Sequence, residues 1–108
     1  MAALSFENFK ASLSGCVPPD GLDLALRALW WDRKGDAAVA RRLAERDDGN
    51  AGRWVLAYLC RKAGESSEAD YHYWRAGLVP TRGALDAEWR DIVLTLLSER
   101  PVAGAYGI

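Results

Sequence analysis

The feature that most constrains this chain is a pattern written twice, with an offset of 29 residues. The stretches ALWWDRKGDAAVARRLAER and AYLCRKAGESSEADYHYWRAG match in three pairs: Ala28 with Ala57, Gly35 with Gly64, and Ala40 with Ala69. Glycine accepts the positive φ that closes a helix, and short side chains let two antiparallel helices approach closely. The repeat therefore predicts two helical hairpins that turn at its glycines.

Apolar residues recur at helical spacing on both sides of these turns, and no strand-like alternation occurs, so we predict an all-α fold. The stacked hairpins should span about 21–46 and 51–77, between a short N-terminal helix at about 4–14 and a C-terminal capping helix at about 86–99. Together these elements make residues 1–100 a single helical-repeat domain.

Polar and rigid residues mark the helix ends. Asp20, Asp36 and Asn50 stand where three helices should begin, and each can accept a hydrogen bond from a free amide of the first turn. Pro101 cannot continue the last helix, so residues 101–108 should form a flexible tail.

Composition excludes several classes of function. The 108 residues carry a formal charge of −1, and the arginines of the middle third alternate with acids, which argues against nucleic acid as a partner. The first residues lack the pattern of a signal peptide, and the longest apolar run, VLAYLC, is too short to cross a bilayer. We therefore expect a cytoplasmic protein without membrane contact.

Ligands for a metal or a cofactor are scarce. The chain has one histidine, and its two cysteines, Cys16 and Cys60, form no CxxC pair. We expect reduced thiols, no metal and no cofactor. A nucleophilic pair of Cys60 with His72 would lack a third group to orient the imidazole, so the sequence identifies no catalytic residue and favours a non-catalytic protein.

The second repeat unit resembles a tetratricopeptide repeat. It has a small residue, a turn glycine and then Ala69, followed by Tyr73 and Ala76, with Pro80 near the end of the unit. The resemblance covers about 22–80 and implies stacked helical hairpins. The usual tetratricopeptide period is about 34 residues, so the shorter offset also fits a relative such as the Sel1-like proteins.

A further likeness concerns WVLAYLCRKAGESSEADYHYWRAG, which is similar to a segment of a family of small, uncharacterised bacterial and fungal proteins. Where those proteins tend to have two histidines and an asparagine, this chain has Leu56, Cys60 and Glu68. The likeness implies no activity that could be transferred.

The tetratricopeptide resemblance implies binding on the inner surface formed by the first helix of each hairpin. Aromatic rings and positive donors occur together there, a mixture suited to an extended peptide or a carboxylate. The predicted partner-binding residues are Asp32, Arg33, Trp54, Tyr58, Arg61 and Lys62. On this basis the chain is a protein-protein interaction module or adaptor that binds a protein or peptide, and a homodimer through exposed aromatics is an open possibility.

An alternative is a small-molecule-binding protein or enzyme with an aromatic pocket between the second hairpin and the C-terminal helix. Its lining would be Tyr58, Cys60, His72, Trp74 and Trp89. Convergence of these side chains on an enclosed pocket would favour a ligand, whereas their dispersal favours the interaction module. A structural subunit without any groove is a third possibility. In the run YHYW, we expect Tyr73 to fill its own hairpin and Tyr71 and Trp74 to pack against Trp89.

Overall fold

A computed structural model of the chain describes residues 4–99, which form six α-helices and no strand. The helices are α1 (Phe6–Ala11), α2 (Leu24–Arg33), α3 (Ala37–Glu45), α4 (Asn50–Lys62), α5 (Ser66–Arg75) and α6 (Leu85–Glu99), with a 3-10 turn at Ser12–Ser14. The predicted all-α class is confirmed. The predicted tail lies outside the described residues, and none of the described helices is both long and apolar enough to cross a membrane.

Tight turns join α2 to α3 and α4 to α5. Gly35 and Gly64 have φ values of 93° and 82°, which residues with a Cβ rarely adopt. After the first turn, the Asp36 carboxylate accepts the Val39 amide at 3.1 Å, as the capping pattern predicts. α2 packs against α3 and α4 packs against α5, and α3 also contacts α4.

Two predicted N-caps are wrong. α2 begins at Leu24 with Asp23, rather than Asp20, as its N-cap, and the Asp23 carboxylate accepts the Leu26 amide at 3.0 Å. Gly21, at a φ of 83°, prolongs the loop. Likewise the N-cap of α4 is Gly49, so Asn50 is already helical.

The C-terminal helix α6 packs against α1, α2 and α4, and so covers the surface that the first helices of the two pairs share. Trp89 is its central anchor. The indole Nε1 donates to the Leu29 carbonyl at 3.0 Å, and the ring centroid lies 6.2 Å from that of Phe6 and 5.9 Å from that of Phe9. Below, the inner face means this surface of α2 and α4.

The crossing of α3 and α4 depends on Gly52, a buried residue in the first turns of α4. A Cβ built on it would stand 2.5 Å from the Asp47 Cβ, 2.6 Å from the Asp47 carbonyl oxygen and 2.9 Å from the Ala44 carbonyl oxygen. Backbone atoms cannot move aside as the end of a side chain can, so only glycine allows this approach.

We therefore expect Gly52→Ala to destabilise the protein, although the same change in an open helix stabilises by about 1 kcal/mol. Overpacking at the crossing should lower the free energy of unfolding by about 1–3 kcal/mol in urea denaturation. Gly83→Ala is the control, because this residue lies outside the helices and a Cβ there would meet only the Thr81 Oγ1, at 3.6 Å. Equal stability of the two variants would contradict the close approach.

Candidate functional site

Two carboxylates are buried in the described structure, and both hold the inner face together. Asp32, in the last turn of α2, is only 4% exposed. It accepts the Tyr58 hydroxyl at 2.9 Å and the Lys62 ammonium at 3.0 Å. Both donors come from α4, so this carboxylate ties α4 to α2.

Glu88 of α6 is the second buried carboxylate, also 4% exposed. It accepts the Trp54 indole at 3.2 Å, the Arg61 Nε at 3.1 Å and the Tyr73 hydroxyl at 2.5 Å. The Arg61 Nη1 also donates to the Gly83 carbonyl at 2.6 Å, which ties the segment before α6 to α4. One acidic side chain thus joins α4, α5 and α6.

Burial fixes the protonation state of the two tyrosines. It raises the pKa of Tyr58 and of Tyr73 well above the usual value, and the neighbouring carboxylates, Asp32 and Glu88, raise it further. Each phenol therefore stays protonated and donates to its carboxylate. Neither phenol is poised to act as a base near neutral pH.

The structure brings the six predicted partner-binding residues together, but they bond to one another and to α6. Besides the contacts above, Arg33 pairs with Asp86 of α6 at 3.1 Å, and its guanidinium lies 4.2 Å from the Trp89 ring centroid. Tyr58 is 1% exposed. A partner could reach this residue only after α6 had moved, and binding by the six residues stays a prediction.

Sequence reasoning missed Glu88, although the sequence contains a signal for it. Leu85, Glu88 and Ile92 follow one another at helical spacing, so the carboxylate sits on the apolar stripe of α6. An acid on a buried stripe needs donors opposite it, and the rings and cations of α4 are those donors.

The five residues of the alternative pocket lie in separate surroundings. Trp89 is buried beside α1 and α2, Tyr58 faces Asp32, and Cys60 packs with Ala57, Ala69 and Tyr73. Trp74 is 72% exposed. The expectation that Tyr71 and Trp74 pack against Trp89 is therefore wrong, because α6 covers α2 and α4 rather than the outer side of α5.

Several open clefts flank α6. One, of about 270 Å³, lies between α6 and the end of α5; Leu78, Val79 and Ala87 line it together with Glu88, which already has three donors bound. Another, of about 360 Å³, lies between the start of α4, the end of α5 and Thr95 of α6. A third, of about 440 Å³, is bounded by α1, α2 and α6 and carries charges of both signs, from Lys10, Arg33 and Arg90 and from Glu7 and Asp86.

Cys60 shares a polar cluster with two acids. Its Sγ and carboxylate oxygens of Glu65 and Glu68 lie within 4.8 Å of one another. Arg41 occupies this cluster, since its Nη2 lies 3.0 Å from the sulfur and 3.0 Å from the Glu65 carboxylate. The guanidinium already supplies the positive charge that a metal ion would bring.

His72 belongs to α5 and is half-buried. Its Nδ1 is buried without a hydrogen-bond partner in the described part of the chain. Desolvation lowers its pKa, and the nearby cations Arg41 and Arg53 lower it further. The imidazole is therefore neutral at pH 7. No hydrogen bond joins it to Cys60 within residues 4–99.

The outer side of α5 presents rings to solvent. Tyr71 is 49% and Trp74 72% exposed, and their ring centroids lie 6.3 Å apart. Arg75 holds Tyr71 in place, because its Nη1 donates to the phenol oxygen at 2.7 Å and its guanidinium lies 5.7 Å from the ring centroid. We call Tyr71, Trp74 and Arg75 the aromatic face.

Comparison with known proteins gives no assignment: no family model, no curated protein and no solved structure matches this chain.

The buried acids lead to an expected order of stabilities. Glu88→Ala leaves the Arg61 guanidinium, whose side chain is only 14% exposed, without its carboxylate, and should lower the free energy of unfolding by about 3–5 kcal/mol. Asp32→Ala should lower it less, because the Lys62 side chain is 45% exposed and its ammonium can turn to water. Urea denaturation measures both changes, and the reverse order would contradict the network.

The two thiols should differ sharply in reactivity. Cys16 is exposed, whereas burial raises the pKa of Cys60 to about 11, with Arg41 opposing the shift in part. At pH 8 a chromogenic disulfide reagent should label one thiol per folded chain at once and the second only in denaturant. Cys16→Ser should remove the fast phase. Fast labelling of that variant without denaturant would show that Cys60 is accessible.

Proposed function

We propose that this chain is a non-catalytic protein-interaction module that docks its partner through the aromatic face of α5. The observation that carries this proposal is the exposure of Trp74, 72%, beside a Tyr71 that Arg75 already holds in place. Tryptophan, tyrosine and arginine are the residue types enriched among the side chains that dominate binding energy in protein interfaces.

The rigidity of the aromatic face supports the same proposal. An exposed ring that moves freely loses conformational entropy when a partner binds, which weakens association. Tyr71 is restrained on three sides, by Arg75, by the Trp74 ring and by an edge-on contact with His72 at 5.4 Å between centroids. A partner therefore meets a surface that is already close to its bound form.

We also propose that α2 with α3 and α4 with α5 are two units of a tetratricopeptide-like repeat. The paired positions support it: Ala28 and Ala57 are both 0% exposed, Ala40 is 0% and Ala69 1% exposed, and both turn glycines have positive φ. Proteins of that kind bind on the inner face, which α6 covers here. The outer side of α5 is then the surface open to an external partner.

Two observations favour this reading over catalysis or small-molecule binding. Asp32, Glu88 and the two buried tyrosines are engaged in internal hydrogen bonds that stabilise the helix packing. The aromatic residues of the alternative pocket lie in separate surroundings rather than around one cavity.

The proposal is tested by recovering partners from the native cell with the tagged full-length chain and two variants. Trp74→Ala should weaken capture of each specific partner at least thirtyfold, the effect of losing about 2 kcal/mol at a binding hot spot. Val17→Ala is the control, because this side chain is 69% exposed but lies far along the chain from α5. Thermal unfolding checks that both variants fold. Unchanged capture by Trp74→Ala would overturn the proposal.

A further inference from the structure

We infer that the partner of the aromatic face is a second copy of this chain, docked so that the α5 helices of the two copies run antiparallel across a twofold axis near Tyr71 and His72. This inference rests on the proposed function, because it names the partner of the same surface. Charge placement on α5 carries it.

The outer side of α5 carries opposite charges on either side of its rings. Glu68 lies one turn before Tyr71, and Arg75 lies one turn after it. The two charged residues are separated by about 10 Å along the axis and lie on nearly the same side of the helix. Both are exposed, and neither forms an ion pair with another described residue.

The surroundings of Glu68 favour a positive partner from outside. Its carboxylate lies close to that of Glu65, whose ion pair is with Arg41. Glu68 thus lies beside a like charge at the N-cap of its helix, and the Arg41 guanidinium in this cluster is paired with Glu65. Two carboxylates with one guanidinium leave a net negative charge there. An additional guanidinium brought against α5 would relieve this repulsion.

A twofold axis requires that when residue i of one copy meets residue j of the other, j also meets i. With α5 helices antiparallel and the axis between Tyr71 and His72, Glu68 of each copy comes level with Arg75 of the other. Two identical ion pairs then flank the tyrosine rings. Parallel helices would instead place like charges opposite each other, so the charges select the antiparallel arrangement.

The same arrangement buries the exposed rings. Tyr71 lies beside the axis, close to its own equivalent, while Trp74 comes level with Ala69 of the other α5, a small residue, with the exposed Ser67 about 3 Å further along the helix. A small side chain at that level leaves space for the indole. The apolar rings thus fill the centre of the interface, and the ion pairs lie at its rim.

The size of the surface sets the strength of the dimer. α5 has 10 residues and is about 15 Å long, so a single helix pair buries less area than a stable obligate dimer needs. We expect a reversible dimer that dissociates in the micromolar range or above, and charge reversal should change its affinity measurably.

Sedimentation equilibrium of the full-length chain, from micromolar to near-millimolar concentration at low salt, tests this directly. Glu68→Arg and Arg75→Glu should each weaken the dimer about tenfold or more, because each places like charges opposite each other. The double variant, with both changes, should restore the affinity because the pairs re-form with reversed sign. Trp74→Ala should weaken the dimer at least thirtyfold.

Asp48→Arg is the matched control for charge. Asp48 is exposed in the loop between α3 and α4, and its reversal changes the net charge as much as Glu68→Arg does. The control should dimerise like the unmodified chain. Thermal unfolding of every variant separates loss of association from loss of folding.

Each outcome decides the inference. A chain that stays monomeric throughout, or a dimer that the double variant does not restore, overturns it. If that monomer still captures a different protein from the cell and loses it in Trp74→Ala, the proposed function stands and its partner is another protein. A dimer that is indifferent to Trp74→Ala lies elsewhere on the molecule and also overturns the inference.

Discussion

Burial of the Glu88 carboxylate is the constraint on which the rest of this fold depends. A buried carboxylate is stable only when donors replace the water it has lost, and Trp54, Arg61 and Tyr73 do so from two other helices. These bonds fix α6 across the inner face. They also determine which surface stays open, because a helix that covers α2 and α4 leaves the outer side of α5 to solvent.

Elements governed by local chemistry could be predicted from the sequence. Both turn glycines, the Asp36 cap and the approximate bounds of α3 to α6 follow from residues within a few positions of each other. The start of α2 and the N-cap of α4 could not be assigned this way. Asp20 and Asp23 are both competent caps, and the choice between them depends on the burial of Leu22, which is decided by residues far away in the sequence.

The candidate site could likewise be predicted only in part from the sequence. Helical spacing predicted that Trp54, Tyr58, Arg61 and Lys62 share one side of α4, and in the structure all four donate to buried carboxylates of the chain itself. Spacing alone could not show that Asp32 and Glu88 take up these donors, and binding of a partner there stays a prediction. Nor could it show which side of α5 is covered, because the rings of YHYW point in several directions and only the position of α6 decides which are buried.

The uneven surroundings of the five tryptophans have a practical consequence. Trp30 and Trp89 are 0% and 3% exposed, Trp31 and Trp54 are partly buried, and Trp74 alone has most of its ring in water. Emission from Trp74 is therefore red-shifted and open to an aqueous quencher such as iodide, while the buried indoles emit from an apolar environment. The chain thus carries its own fluorescent reporter on the aromatic face, the surface that we propose binds a partner.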